Sequence, residues 1–277
     1  MPQEPNAKAG PESLESVNAK IDEYIERLDN LESKIERFHR TVSESAHHTR
    51  HQLNSINSLL KATRDGLPSE ITELLSLRRS LVSDNIEMPA LGGWPLGSST
   101  TVSICRGIQS GLYRDNILEL GGGSSTVWIA ESIKNSNFNG TLYSVDHDLH
   151  YLEKTTQMLK QRGLDEFVEL IHAPLEDTNV FGKPARWYAA SALSEVEQIG
   201  LLIIDGPPGT TFTQARLPAF YELAPNLTDD AWILLDDCNR SDEKAVLEKW
   251  LDHSNALSPV QQIGDTQILK FKRTKIF

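Results

Sequence analysis

Three stretches of this sequence carry residue types whose spacing suits chemistry. The first is Ile117-Leu-Glu-Leu-Gly-Gly-Gly-Ser-Ser-Thr126, an apolar run that enters three consecutive glycines and then small hydroxyl residues. Glycines at Gly121, Gly122 and Gly123 let a backbone turn sharply and come close to a ligand, and a helix opening at Ser125 offers unpaired N–H groups. The second is Leu142-Tyr-Ser-Val-Asp-His-Asp148, which places Asp146 25 positions after Gly121. A carboxylate at the end of a second strand can accept hydrogen bonds from both hydroxyls of a ribose. Asp148, two residues on, suits a helix cap. The third stretch is a pair of acidic strand ends, Asp205-Gly-Pro-Pro-Gly209 and Leu235-Asp-Asp-Cys-Asn-Arg240.

Those residues need elements to position them. Strands are predicted at Asn116–Leu120, Thr141–Val145, Val168–Ile171, Leu201–Asp205 and Trp232–Asp236. Helices are predicted at Thr100–Leu112, Ser125–Ile133, Leu152–Arg162, Thr213–Leu223 and Asp242–His253. The last segment, from Val260, reads as two strands around Gly264-Asp265. Strand and helix in alternation imply an α/β fold with a doubly wound, mainly parallel sheet. Ligands in such sheets bind outside the carboxyl ends of the strands, where all three stretches fall.

Residues 1–83 follow another pattern. Leu14, Val17, Ile21, Tyr24, Leu28, Leu31, Ile35, Phe38 and Val42 recur in alternating steps of three and four, the seam of a coiled coil. Ser69 to Val82 reads as a shorter helix begun by Pro68. His47 and His51 stand one helical turn apart with His48 between, but no third ligand accompanies them, so a polar patch is the plainer reading. The region is expected to be helical and to assemble the chain into a homo-oligomer. From Asp84 to Ser99 runs a Gly- and Pro-rich loop containing Gly92, Gly93 and Trp94, which suits either a linker or a flap over a pocket.

Composition narrows the partners. Hydrophobic residues make up 39% of 277, enough for a sizeable core, and the net charge is −12. Residues 1–83 hold 11 basic and 13 acidic side chains (−2), which leaves 16 and 26 (−10) for 84–277. That field disfavours nucleic acid. No apolar run approaches the ~18–20 residues of a membrane span, and Met1 to Asn6 show no secretory pattern. Cys105 and Cys238 form no CxxC pair, so neither a disulfide framework nor a cysteine zinc site is expected. A soluble, cytoplasmic protein is the expectation.

Taken together, Glu-Leu-Gly-Gly-Gly-Ser-Ser-Thr, then Val-Asp-His, then Asp-Gly-Pro-Pro, resemble a class I S-adenosylmethionine-dependent methyltransferase over residues 84–277. The resemblance implies a seven-stranded Rossmann-like sheet. It implies that Glu119, Gly121, Gly122, Gly123 and Ser125 line the amino-acid end of S-adenosylmethionine. It also implies that Asp146 holds the ribose, that His147 lies beside the adenine, and that Ala173 to Leu175 pack against the ring. The acidic strand ends match the layout of metal-dependent O-methyltransferases of small molecules and sugars. Asp205 is then the catalytic acid, and Asp205, Asp236 and Asp237 are ligands for Mg²⁺ as a conditional second cofactor. One departure is Pro208, which stands where catechol-type enzymes carry a lysine base. His147, His172 and Arg240 are the remaining polar candidates for that role.

The acceptor implied is a small molecule or saccharide. Two other functions stay open on the sequence: a nicotinamide-dependent oxidoreductase, whose fingerprint would want glycine where Thr126 stands, and a non-catalytic coiled-coil scaffold.

Overall fold

The computed structural model describes residues 31–35, 37–39, 42, 69–82, 87–91 and 96–273. The chain divides into two compact units, Met1–Leu67 and Pro68–Phe277. In the first, Leu31, Ile35, Phe38 and Val42 are helical and exposed. The rest of the expected seam, His47, His48 and His51 lie outside the described residues, as do Gly92, Gly93 and Trp94 of the candidate flap.

The second unit is built on a seven-stranded sheet. Its strands are β1 (Asn116–Leu120), β2 (Leu142–Asp146), β3 (Val168–His172), β6 (Ile199–Ile204), β7 (Leu227–Leu235), β8 (Leu257–Ile263) and β9 (Thr266–Phe271). The order across the sheet is β3-β2-β1-β6-β7-β9-β8. From β3 to β7 all neighbours run parallel, and β9 and β8 add an antiparallel edge. The chain builds outward from β1 through β2 to β3, then returns to β6 on the other side of β1. Such a reversal opens a crevice beyond the carboxyl ends of β1 and β6.

Strand periodicity explains the two cores. Leu118, Leu120, Leu202, Ile204 and Ile233 pack on one face with Phe220 and Trp250, while Ile117, Leu201, Ile203 and Leu234 pack on the other with Ile104 and Ile129. Every residue of β6 is buried, as a central parallel strand requires. Helices α1 (Ser98–Gln109), α2 (Ser124–Lys134) and α3 (Leu149–Lys160) cover the second face. Helices α4 (Ala190–Leu193), α5 (Pro218–Leu223) and α6 (Ser241–His253) cover the first. Asp148 caps α3 as expected, accepting from His150 N–H at 2.8 Å. No helix among the described residues is long and apolar enough to cross a membrane.

Three features differ from the sequence reading. Residues 69–81 form the helix expected in the N-terminal region, yet Leu77, Leu81 and Val82 are buried against Val102, Cys105 and Trp128. The compact body therefore begins at Pro68 rather than after residue 83, because that apolar stripe needs the Trp128 face to leave water. The helix expected over Thr213–Leu223 shrinks to Pro218–Leu223. Gln214 takes a left-handed φ of 52° and gives its N–H to the Asp242 carboxylate, and Pro218 starts the helix where its missing N–H costs nothing. Finally, β4 (Leu175–Val180) and β5 (Lys183–Tyr188) form a hairpin between β3 and α4 that the sequence reading missed. It closes on Phe181-Gly182, both at positive φ, as a two-residue turn demands.

Candidate functional site

The site begins at the end of β1. Gly121 has φ +90°, and a Cβ there would stand 2.9 Å from the Gly206 nitrogen. Only glycine permits this close passage of the two turns, which brings the ends of β1 and β6 into contact. Below the turn lies Glu119, buried and saturated. Its carboxylate accepts from Ser125 Oγ at 2.6 Å, Thr126 Oγ1 at 2.5 Å and Ser144 Oγ at 3.1 Å. Burial pushes the Glu119 pKa up, and those three hydroxyls oppose the shift. Glu119 and Ser125, expected on the cofactor, are thus turned inward to brace the loop.

The loop's own amides are also engaged. Gly121 and Gly122 N–H point to the Val145 carbonyl at 2.9 and 3.4 Å, and Gly123 N–H donates to Thr126 Oγ1 at 2.9 Å. The glycines therefore shape a cradle more than they donate to a ligand. Thr126, at the position where a dinucleotide fingerprint wants glycine, is tied into this network on three sides.

At the end of β2, Asp146 is buried. Its Oδ1 accepts from Asp148 N–H at 2.8 Å and lies 3.2 Å from His147 Nδ1, while none of the described residues donates to Oδ2. His172 Nε2 sits 3.1 Å from the His147 carbonyl. Ala173, fully buried, donates its N–H to the Asp146 carbonyl at 3.0 Å, and Leu175 opens β4 beside it. These residues lie together at the ends of β2 and β3.

Beyond the β6 and β7 ends, Asp205, Asp236 and Asp237 converge, each offering an oxygen within 4.8 Å of the others. Asp237 holds a strained φ of 61° to do so. Burial raises the Asp205 pKa well above 3.8, and Asp236 and Asp237 raise it further while Arg216 opposes them. Burial also raises Asp236, against a 2.5 Å hydrogen bond from Thr266 Oγ1.

The residue that sequence reasoning missed is Arg216. Its guanidinium is buried at 2% exposure and donates to the Asp236 carbonyl (2.8 Å), the Asp205 carbonyl (2.7 Å), Asp205 Oδ1 (3.3 Å) and Asp237 Oδ2 (2.8 Å). Glu243 approaches its Nε at 4.0 Å, and Arg240 pairs with Asp237 at 2.7 Å. Fully ionised, four carboxylates against two guanidiniums would leave two formal negative charges, which protons on the raised Asp205 and Asp236 or one divalent cation would balance. A signal existed: three acids meeting in a dry place require a cation.

A cavity of about 670 Å³ opens here, lined by Asp205, Pro208, Gly209, Arg216, Asp237 and Arg240. A larger one of about 790 Å³ lies at the opposite ends of the strands, by Tyr113, Trp232 and Lys270. The smaller carries the convergent polar groups and lies at the carboxyl ends of β6 and β7, beside the β1/β6 switch point, so it is the candidate site.

Residues 118–238 match a family described as a methyltransferase domain. This segment is similar to a methyltransferase domain. The SAH-bound methyltransferase PaMTH1 of Podospora anserina shares the fold at a TM-score of 0.50 and 12% identity, over 74% of this chain and 88% of that one. An O-methyltransferase from Bacillus cereus in complex with SAH (S-adenosylhomocysteine) aligns at 0.49 and 16%, over 73% and 91%. No curated protein sequence matches the chain. The matched segment contains the glycine cradle, Asp146, the hairpin, Arg216 and all three acids.

Replacing Arg216 by alanine strands buried carboxylates. Arg216→Ala is expected to lower unfolding stability by about 3–5 kcal/mol at neutral pH. The deficit should shrink as pH falls, because protonated carboxyls no longer need the cation. Denaturant melts of both chains at neutral and acidic pH read this, and a pH-independent deficit would contradict the charge-compensation role.

Proposed function

We propose that the protein is an S-adenosylmethionine-dependent O-methyltransferase acting on a small molecule or saccharide. The observation that carries this reading is the convergence, on neighbouring parallel strand ends, of the Gly121 cradle, Asp146 and Asp205. The cofactor supplies an electrophilic methyl group on a sulfonium, so the protein's work is alignment and exclusion of water. The residues fit the group: Asp146 has an oxygen for the ribose, Ala173 and Leu175 give an apolar wall for the base, and the loop is open beside Gly123, where nothing lies within 4 Å of an added Cβ.

Asp205 is then the carboxylate that receives the acceptor hydroxyl. Asp205, Asp236 and Asp237 suit a hard cation such as Mg²⁺, and the excess of carboxylates over guanidiniums around Arg216 supports one. Such an ion would orient the acceptor oxygen and lower its pKa. His147 faces Asp146 and His172 a backbone carbonyl through one ring nitrogen each, and neither lines the cavity by the acidic cluster. The nicotinamide alternative is disfavoured by Thr126, whose hydroxyl is built into the loop.

Incubating the protein with methyl-labelled S-adenosylmethionine and metabolite or nucleotide-sugar fractions should yield a labelled product, with loss on EDTA and return on Mg²⁺. Asp146→Ala should weaken SAH binding by about 1–3 kcal/mol in calorimetric titration. Unchanged affinity in a folded Asp146→Ala chain would remove the ribose assignment, and full turnover in EDTA would remove the metal.

We further propose that residues 14–42 assemble the chain into a homo-oligomer. The exposed helical Leu31, Ile35, Phe38 and Val42 support this, since a stripe of that spacing seeks a partner helix. The two buried free cysteines suit a reducing, cytoplasmic setting. In sedimentation, the full chain carrying Ile35→Asp and Phe38→Asp should fall to monomer mass while the parent does not. A monomeric parent would contradict the assembly.

A further inference from the structure

Tyr188, the last residue of the inserted hairpin, is 2% exposed, and its hydroxyl has no hydrogen-bond partner. That hydroxyl is not in an idle place. It lies 2.4 Å from where a Cβ on Gly206 would stand, and the same point is 3.1 Å from the Gly121 nitrogen. The phenol therefore reaches the junction of the β1 and β6 turns. A buried polar group without a partner is costly, and phenylalanine would fill the same space without that cost.

Buried donors without a partner here are Tyr188 Oη and, at the start of α2, Ser124 Oγ, among the described residues. Acceptors abound: Glu119, Asp146 and Asp205 all lie at the strand ends. The glycine amides are spent on Val145 and Thr126, and the terminal nitrogens of Arg216 are spent on the β6 and β7 ends. Burial, with Asp146 next, holds the Tyr188 pKa well above 10, so the phenol keeps its proton. A ligand ammonium would find carboxylates and carbonyls here, whereas a ligand carboxylate would find this hydroxyl.

We propose that Tyr188 donates its hydroxyl proton in a hydrogen bond to the carboxylate at the amino-acid end of S-adenosylmethionine. The assignment rests on the cofactor reading above and adds a cofactor-binding residue from outside the glycine loop. It also gives the hairpin a purpose, since β5 is the element that delivers Tyr188.

The test pairs a protein change with a ligand change. Calorimetric titration of the full chain uses SAH and its decarboxylated analogue, in the parent and in Tyr188→Phe. The parent should bind SAH about tenfold more tightly than the analogue, the size of one hydrogen bond to a charged group. In Tyr188→Phe the SAH affinity should drop about tenfold, the analogue's should not change, and the melting temperature should hold or rise. A variant that keeps the discrimination, or that weakens both ligands equally, overturns the assignment. Should the variant not fold, a parent that binds both ligands alike overturns it without the variant. A parent that binds neither overturns the cofactor reading and the assignment together.

Discussion

The structure depends on how a sheet tolerates several carboxylates at the ends of adjacent strands. Parallel strands bring their carboxyl ends to one edge, so Asp146, Asp205, Asp236 and Asp237 are crowded together by topology alone. Inside a low dielectric that crowding is unfavourable unless each charge is matched or protonated. Arg216 matches it. One guanidinium binds two backbone carbonyls and two carboxylates, and by doing so pins the end of β6 to the end of β7. The planar fork of arginine suits this, where a lysine would offer a single point of charge.

A second charge is handled differently. Glu119 sits fully inside the sheet with no cationic side chain paired to it among the described residues, and three hydroxyls surround it instead. Each hydroxyl belongs to a different position of the loop or the neighbouring strand, so the buried acid acts as a clasp. Ser125 and Thr126 are thereby held at the start of α2, and Ser144 ties in β2. The glycine cradle is rigid because its side-chain foundation is polar and satisfied. The two devices, an arginine under β6 and β7 and a hydroxyl-ringed acid under β1, leave the crevice between them open.

Much of this was legible in the sequence, for physical reasons. The strand ends were readable because buried parallel strands are short apolar runs and because glycine triplets and acids follow them directly. Asn116–Leu120 is found at its expected bounds. Arg216 was hidden because Thr213 to Leu223 carries a helical pattern, and nothing local marks the turn that aims the guanidinium inward. The hairpin was hidden because Glu176, Asp177 and Asn179 give β4 a polar face, which reads as loop, although Phe181-Gly182 is a usable turn signal. The limit of the body was misplaced because the helix at 69–81 shows its apolar stripe equally well whether it meets another helix or Trp128. Charge bookkeeping over the predicted strand ends would have asked for a buried cation, but not which residue supplies it.

The central claim is that one crevice, above β1, β2 and β6, holds S-adenosylmethionine with its reacting end toward the acidic cluster. A crystal structure of the full chain grown with SAH tests it most directly. The account predicts ribose hydroxyls on Asp146 and the homocysteine tail passing over Gly121 toward Asp205. SAH lodged at the opposite ends of the strands, by Tyr113 and Trp232, would contradict it.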